Sequence, residues 1–169
     1  MLFRSEIGRM GHIILKMNSL EDKGMINALY RASEAGVKID LIIRGICCLI
    51  PNQPYSKNIR VTRIVDAYLE HARVWYFLNG GKETIYLTSA DWMQRNLHRR
   101  IEVAFPVYSE PLKRQIIDIL KIQLEDNQSA VWVNEHLDNV FKRDTASPDD
   151  TPIRAQQAIH DYLKQSTGQ

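Results

Sequence analysis

Two residues of this chain stand where chemistry rather than packing would put them. Arg44 follows directly on the apolar run Leu41-Ile42-Ile43, with Gly45 behind it. A cation at the C-terminal end of a buried strand lies where open α/β sheets bind ligands. A guanidinium suits a phosphate there, because its planar fork donates paired hydrogen bonds and it stays charged. His71 precedes the apolar run Val74-Trp75-Tyr76-Phe77-Leu78, and an imidazole can give or take a proton near neutral pH. Each has a structural alternative. Arg44 could hold a strand end by pairing with Asp40 or Glu102, and His71 could close a helix and interact with its dipole. Strand alternation would send Arg99 and Arg100 to opposite faces, so at most one of them should face a site.

The elements that must position these groups read as α/β. His12 to Met17 is a short buried strand. Asn18 and Ser19 supply cap chemistry for a helix whose stripe is Met25, Leu29 and Ala32 and whose end is Gly36. Lys38 to Ile43 is a second strand, so strand, helix and strand make a βαβ unit with parallel strands. Beyond the polar loop Pro51 to Asn58, Ile59 to Ile64 alternates like a strand, and Val65 to His71 is expected to be a short helix. Asn79-Gly80-Gly81 between Arg73–Leu78 and Thr84–Thr88 signals a hairpin. Ile101 to Val107 is expected to be a strand. Ser109 and Pro111 open a long helix with Leu112, Ile116, Ile119 and Leu120 on its buried stripe. Val131 to Val133 is expected at a sheet edge, Lys142 to Asp150 as a flexible loop, and a last helix after Thr151-Pro152, frayed over residues 166–169. Residues 1–11 read as a tag-like or truncated start, and residues 12–165 as a single domain.

With 169 residues, 44% hydrophobic and 25% charged, the chain can bury one real core. A net charge of +2 gives no bulk argument for nucleic acid or membrane, so any anion site must be a local cluster. Adjacent Cys47 and Cys48 read as reduced thiols. No zinc-type ligand spacing and no run long enough to span a membrane occur. His12, His98, His136 and His160 read as surface or satisfied histidines, and Trp75, Trp92 and Trp132 as core.

The blocks KMNSL, LIIRGICCLIPN, IVDAYLEHARVWYFLNGG and YLTSADWMQRNLHRRIEVAFPV together resemble the C-terminal catalytic domain of bacterial polyphosphate kinase, over about Ile13 to Leu163. That resemblance implies a phospholipase-D-like mixed sheet flanked by helices, the second of two such domains. His71-Ala72-Arg73 and Ser89-Ala90-Asp91 look like degenerate phospholipase D motifs, with Arg73 where lysine and Asp91 where asparagine would stand. The family reversibly moves the terminal phosphoryl of ATP onto polyphosphate, with Mg2+, through a phosphohistidine in a preceding domain that this chain lacks. By resemblance, Arg44 and His71 match nucleotide-site residues, and His71, Arg100 and Glu102 match residues of the active-site block. Lys16, at the end of the first strand, is placed with them as a channel residue for polyphosphate. Magnesium ligands are expected in the missing domain, so none is expected here. ATP or ADP, polyphosphate, the preceding domains and further copies of the full-length enzyme are the expected partners, and nucleic acid is not. The expected setting is the cytoplasm, with a capacity for peripheral membrane association. The isolated chain is expected to be inactive. Two rival readings are a non-catalytic polyphosphate- or nucleotide-binding module and a degenerate phospholipase-D-type phosphodiesterase.

Overall fold

In the computed structural model, which describes residues 11–147 and 149–167, an eight-stranded mixed sheet is flanked by helices. The start read as tag-like and the last residues of the tail, Gly168 and Gln169, lie outside the described residues apart from Gly11. Strand β1 (His12–Met17), helix α1 (Lys23–Glu34) and strand β2 (Lys38–Ile43) form the expected parallel βαβ unit. Strand β3 (Ile59–Ile64) continues it in parallel. Strands β4 (Val74–Asn79) and β5 (Lys82–Thr88) form the hairpin, turning on Gly80 and Gly81. Both glycines have positive φ, 59° and 84°, the pairing that lets a two-residue turn follow the strand twist. Helix α2 (Gln94–Arg99) leads to the short strand β6 (Ala104–Pro106). Helix α3 (Glu110–Glu125), strands β7 (Ala130–Val133) and β8 (Asn139–Phe141), and helix α4 (Ala155–Thr167) complete the chain. The sheet order is β6-β5-β4-β1-β2-β3-β7-β8.

Strand alternation divides the core in two. Ile13, Leu15, Met17, Ile39, Leu41 and Ile43 pack with Ile26 and Leu29 of α1. Ile14, Ile42, Tyr76 and Ile85 on the other face pack with Ile117 and Leu120 of α3 and Ala155 of α4.

Several expected elements differ. No helix forms over Val65 to His71; the segment is irregular, with Val65, Tyr68 and Leu69 turned outward. Its apolar side chains find no surface to pack on, and its polar groups are held by Ser129, Arg154 and Gln156 instead. The predicted Ile101–Val107 strand shortens to Ala104–Pro106, continued at its ends by Ser89 N–H to the Val103 carbonyl at 3.0 Å and Val107 N–H to the Ile85 carbonyl at 2.9 Å, while α2 takes Arg99 and Arg100 is its C-terminal cap. The strand alternation of Arg99 and Arg100 is therefore replaced by a helix end. Helix α1 is capped by Asp22, whose carboxylate accepts from the Met25 N–H at 2.9 Å, and not by Asn18 or Ser19. Ser109 occupies the cap position of α3 without a side-chain cap bond, and Leu112 is exposed. Strand β7 lies inside the sheet, covered by β8. The predicted loop after β8 begins with an anchor, since buried Lys142 donates to the Leu124 carbonyl at 2.9 Å and lies over the Trp132 ring. Helix α4 starts at Ala155 rather than after Pro152, and includes Ser166 and Thr167.

Candidate active site

Sheet register alone brings the chemistry-bearing residues to one edge. Strands β1 and β2 are parallel, so Asn18 and Arg44 follow their adjacent C-terminal ends. Strand β4 runs against β1 with Val74 opposite Lys16, which brings His71 and Arg73 to the same end. Strand β5 runs back, with Leu87 opposite Val74, and delivers Ser89 and Asp91 there. Strand β6 pairs Ala104 with Thr88 and adds Glu102. Gly45 allows the close approach behind Arg44: its N–H donates to the Asn18 carbonyl at 2.8 Å, and a Cβ there would sit 2.8 Å from that oxygen.

Five of these residues close a ring of contacts. Arg44 Nε donates to Asn18 Oδ1 at 2.7 Å. The Asn18 backbone N–H donates to Asp91 Oδ1 at 2.8 Å, with its side-chain amide on the same carboxylate. Arg73 grips Asp91 through Nε at 3.0 Å and Nη2 at 3.1 Å. His71 lies between the guanidiniums, Nδ1 3.1 Å from Arg44 Nη2 and Nε2 3.3 Å from Arg73 Nη2. Burial opposes the charged form of Asp91, but the hydrogen bonds from Arg73 and Asn18 outweigh it and hold its carboxyl below the usual range. A neutral imidazole has one acceptor nitrogen and one N–H. It can therefore accept from only one guanidinium at a time, which leaves donor capacity on the other for an incoming oxygen.

Glu102 stands beside the ring. Its carboxylate accepts from Ser89 Oγ and Asn96 Nδ2, bonds that lower its pKa in that order of effect, with help from the charges of Arg100 and Arg73. Arg100 is exposed and its guanidinium makes no hydrogen bond within the described residues. Lys16 is buried behind the ring and pairs with Glu70 at 2.5 Å. Burial lowers its pKa, Glu70 partly restores it, and the charge of Arg44 lowers it further. Lys16 faces a cavity of about 440 Å³ between the sheet and helices α3 and α4, which His71 also lines.

The arrangement therefore brings Arg44 and His71 into contact, with Glu102 and Arg100 adjacent and Lys16 behind. Arg44 pairs with neither Asp40 nor Glu102. Asn18 escapes recognition as a site residue in the sequence because it reads as a helix cap; its place after β1, level with Arg44 after β2, is the signal that could reveal it. Arg73 and Asp91 are visible there only as altered motif positions. Among the described residues no cluster of His, Cys, Asp or Glu is placed to hold a metal ion. The carboxylates that adjoin these residues, Glu70, Asp91 and Glu102, are already taken by donors of the chain itself, so these residues do not fit a magnesium site.

The family described as Polyphosphate kinase C-terminal domain 2 matches residues 3–156. The chain belongs to that family. It is 49% identical over 152 residues to a polyphosphate kinase of Halalkalibacterium halodurans, covering 89% of this chain and 21% of the relative. It is 47% identical over 153 residues to that of Escherichia coli K12, covering 90% of this chain and 22% of the relative. The crystal structure of polyphosphate kinase from Porphyromonas gingivalis superposes with a TM-score of 0.90 at 58% identity, over 94% of this chain and 24% of that one. A phospholipase D family member, Nuc, from Salmonella typhimurium shares the fold at a TM-score of 0.54 and 14% identity, over 73% of this chain and 82% of that one. The fold is thus the phospholipase-D-like α/β domain, and the chain spans about a fifth of the length of the curated relatives it matches. No helix of the described residues is long and apolar enough to cross a membrane.

Proposed function

We propose that this chain is the phosphate-binding half of a phosphotransferase site that reversibly moves the terminal phosphoryl of ATP onto inorganic polyphosphate. The observation that carries the reading is the His71 imidazole held between Arg44 and Arg73 at the C-terminal strand ends, in a member of the polyphosphate kinase family. Phosphoryl transfer concentrates charge on equatorial oxygens and needs chiefly positioning and neutralisation. Arg44 and Arg100 supply the neutralisation, Arg44 and His71 meet the nucleotide phosphates, and His71 can move a proton to or from a phosphate oxygen. Glu102 lies beside Arg100, and Lys16, paired with Glu70, backs the segment that carries His71. In this reading the phosphohistidine and the residues for Mg2+ belong to a preceding domain. The isolated chain then binds phosphates without turnover, and the complete enzyme assembles as an oligomer in the cytoplasm.

Calorimetric titration with magnesium-ATP and with tripolyphosphate tests this, beside Arg44→Ala and His71→Ala. Binding that weakens in both variants is expected. Unchanged binding in both, no binding by a folded wild type, or ATP–polyphosphate turnover by the pure chain would overturn it.

A further inference from the structure

The irregular segment that carries His71 has little packing of its own: Val65 is 71%, Tyr68 76% and Leu69 78% exposed. Its order comes from side chains of other elements. The Asp66 carboxylate accepts from Arg154 Nε at 2.8 Å and from Ser129 Oγ at 2.9 Å. Gln156, in the first turn of α4, uses both ends of its amide on one residue: Oε1 accepts from the Tyr68 N–H at 3.0 Å, and Nε2 donates to the Tyr68 carbonyl at 2.8 Å. The same Nε2 lies 3.2 Å from Glu70 Oε1. The other oxygen of Glu70 takes Lys16 and Gln123. The residue immediately before His71 is thus tied to β1, α3 and α4 at once.

We infer that Gln156 is a positioning residue for His71: by clamping the Tyr68 backbone and Glu70, helix α4 sets the imidazole between Arg44 and Arg73. A side-chain amide bonded to both backbone groups of one residue imitates a strand partner, and it does so where the segment has no helix or sheet ladder to supply one. Arg154 reinforces the clamp one step earlier. The inference rests on the reading of His71 as a phosphate-site residue only for its consequence, since the ring's orientation is measurable without ligand.

The first test is the imidazole itself, followed by long-range proton–nitrogen NMR of His71 in the chain without ligand. Gln156→Met keeps the length and most of the packing while removing every hydrogen bond of the amide. Gln157→Met is the control, because Gln157 bonds only to Asp161 on the same helix. The wild type and the control are expected to show one dominant ring tautomer. In Gln156→Met the minor form should rise about tenfold, the size of one or two neutral hydrogen bonds. Backbone amide signals of β1 and β2 should not move. Identical His71 ring signals in wild type and Gln156→Met would overturn the inference.

A double-mutant cycle on tripolyphosphate affinity is the second test. Gln156→Met should weaken binding several-fold in the wild-type background and have no effect in a His71→Ala background. An equal loss in both backgrounds would mean that Gln156 acts otherwise than through His71. If tripolyphosphate does not bind at all, the phosphate reading fails while the ring measurement still decides the positioning role.

Discussion

Two buried aspartates, one within a central strand and one beyond the end of β5, use similar partners to opposite ends. Asp40, within β2, is ringed by His12 at 2.7 Å, Arg60 at 2.7 Å and Lys38 at 3.5 Å, all reaching in from the edge near the strand N-termini. Asp91, at the other end of the sheet, is ringed by Arg73 and by the backbone and amide of Asn18. Burial works against ionisation of both, and hydrogen bonds win in both. The difference lies in what remains. Around Asp40 the cations converge on the carboxylate they neutralise. Around Asp91 one arginine neutralises it, while Arg44 is held by an uncharged amide and an imidazole. Neither holder is an anion, so the guanidinium charge stays uncompensated, and an uncompensated cation at C-terminal strand ends is what an anion can use.

Removing each carboxylate gives the largest contrast. The Arg73 side chain is only 13% exposed, so Asp91→Ala strands a buried cation and two backbone N–H groups. We expect a loss of about 3–5 kcal/mol by urea denaturation. The Arg60 and Lys38 side chains are each 53% exposed and return to water when released. Asp40→Ala should cost about 1–2 kcal/mol. Equal losses would mean that the two clusters are energetically alike and that the distinction drawn from exposure is wrong.

Arginine deletion should move the contrast from stability to affinity. Arg44→Ala is expected to weaken tripolyphosphate binding by about 10- to 100-fold, the worth of charge-assisted hydrogen bonds, with little change in unfolding free energy. Arg60→Ala should leave affinity untouched. In a full-length enzyme carrying this domain, Arg44→Ala should cost about 2–4 kcal/mol of transition-state stabilisation. An affinity loss from Arg60→Ala matching that of Arg44→Ala would erase the functional asymmetry.

The half of this contrast that belongs to Arg44 is legible in the residues themselves. The βαβ unit, the hairpin at Asn79-Gly80-Gly81 and the place of Arg44 follow from alternation, turn chemistry and strand ends, which are local signals. The irregular segment before β4 is not legible, because its conformation depends on Arg154 and Gln156, more than eighty residues away in sequence. Helix α2 is hidden for a related reason: its Gln94–Arg99 run is polar, and only Asn96 is buried. Ring membership of Asn18 depends on pairing β1 with both β2 and β4, a tertiary fact that no window of sequence contains.

Acid should act on both clusters with the same sign. Each aspartate has a folded pKa below its unfolded value of about 3.9. Each therefore contributes stability above that value, and the contribution fades as pH falls through the lowered folded pKa. Unfolding free energies of wild type, Asp40→Asn and Asp91→Asn should accordingly begin to converge below about pH 4 and meet once the pH is below the lowered folded pKa values. If either variant kept its full deficit through that range, its aspartate would not be held as a carboxylate.

The smallest expected effect concerns Arg99 and Arg100, both exposed at the end of α2. Strand alternation would have separated them by face; the helix end separates them by neighbour instead. The charge of Arg100 acts on Glu102, which Ser89 and Asn96 hold beside the ring. An exposed charge beside Glu102 adds to the local potential but is screened by salt within about 10 Å at 0.1 M ionic strength. Arg100→Ala should thus weaken tripolyphosphate binding only two- to fivefold, roughly 0.5–1 kcal/mol, and the loss should shrink as salt rises. Arg99→Ala should do less at every ionic strength, since no acidic side chain of the site holds it there. Titrations of both variants at low and high salt would show this. A larger effect from Arg99→Ala would place the incoming phosphates on the other side of α2 and move the site away from Glu102.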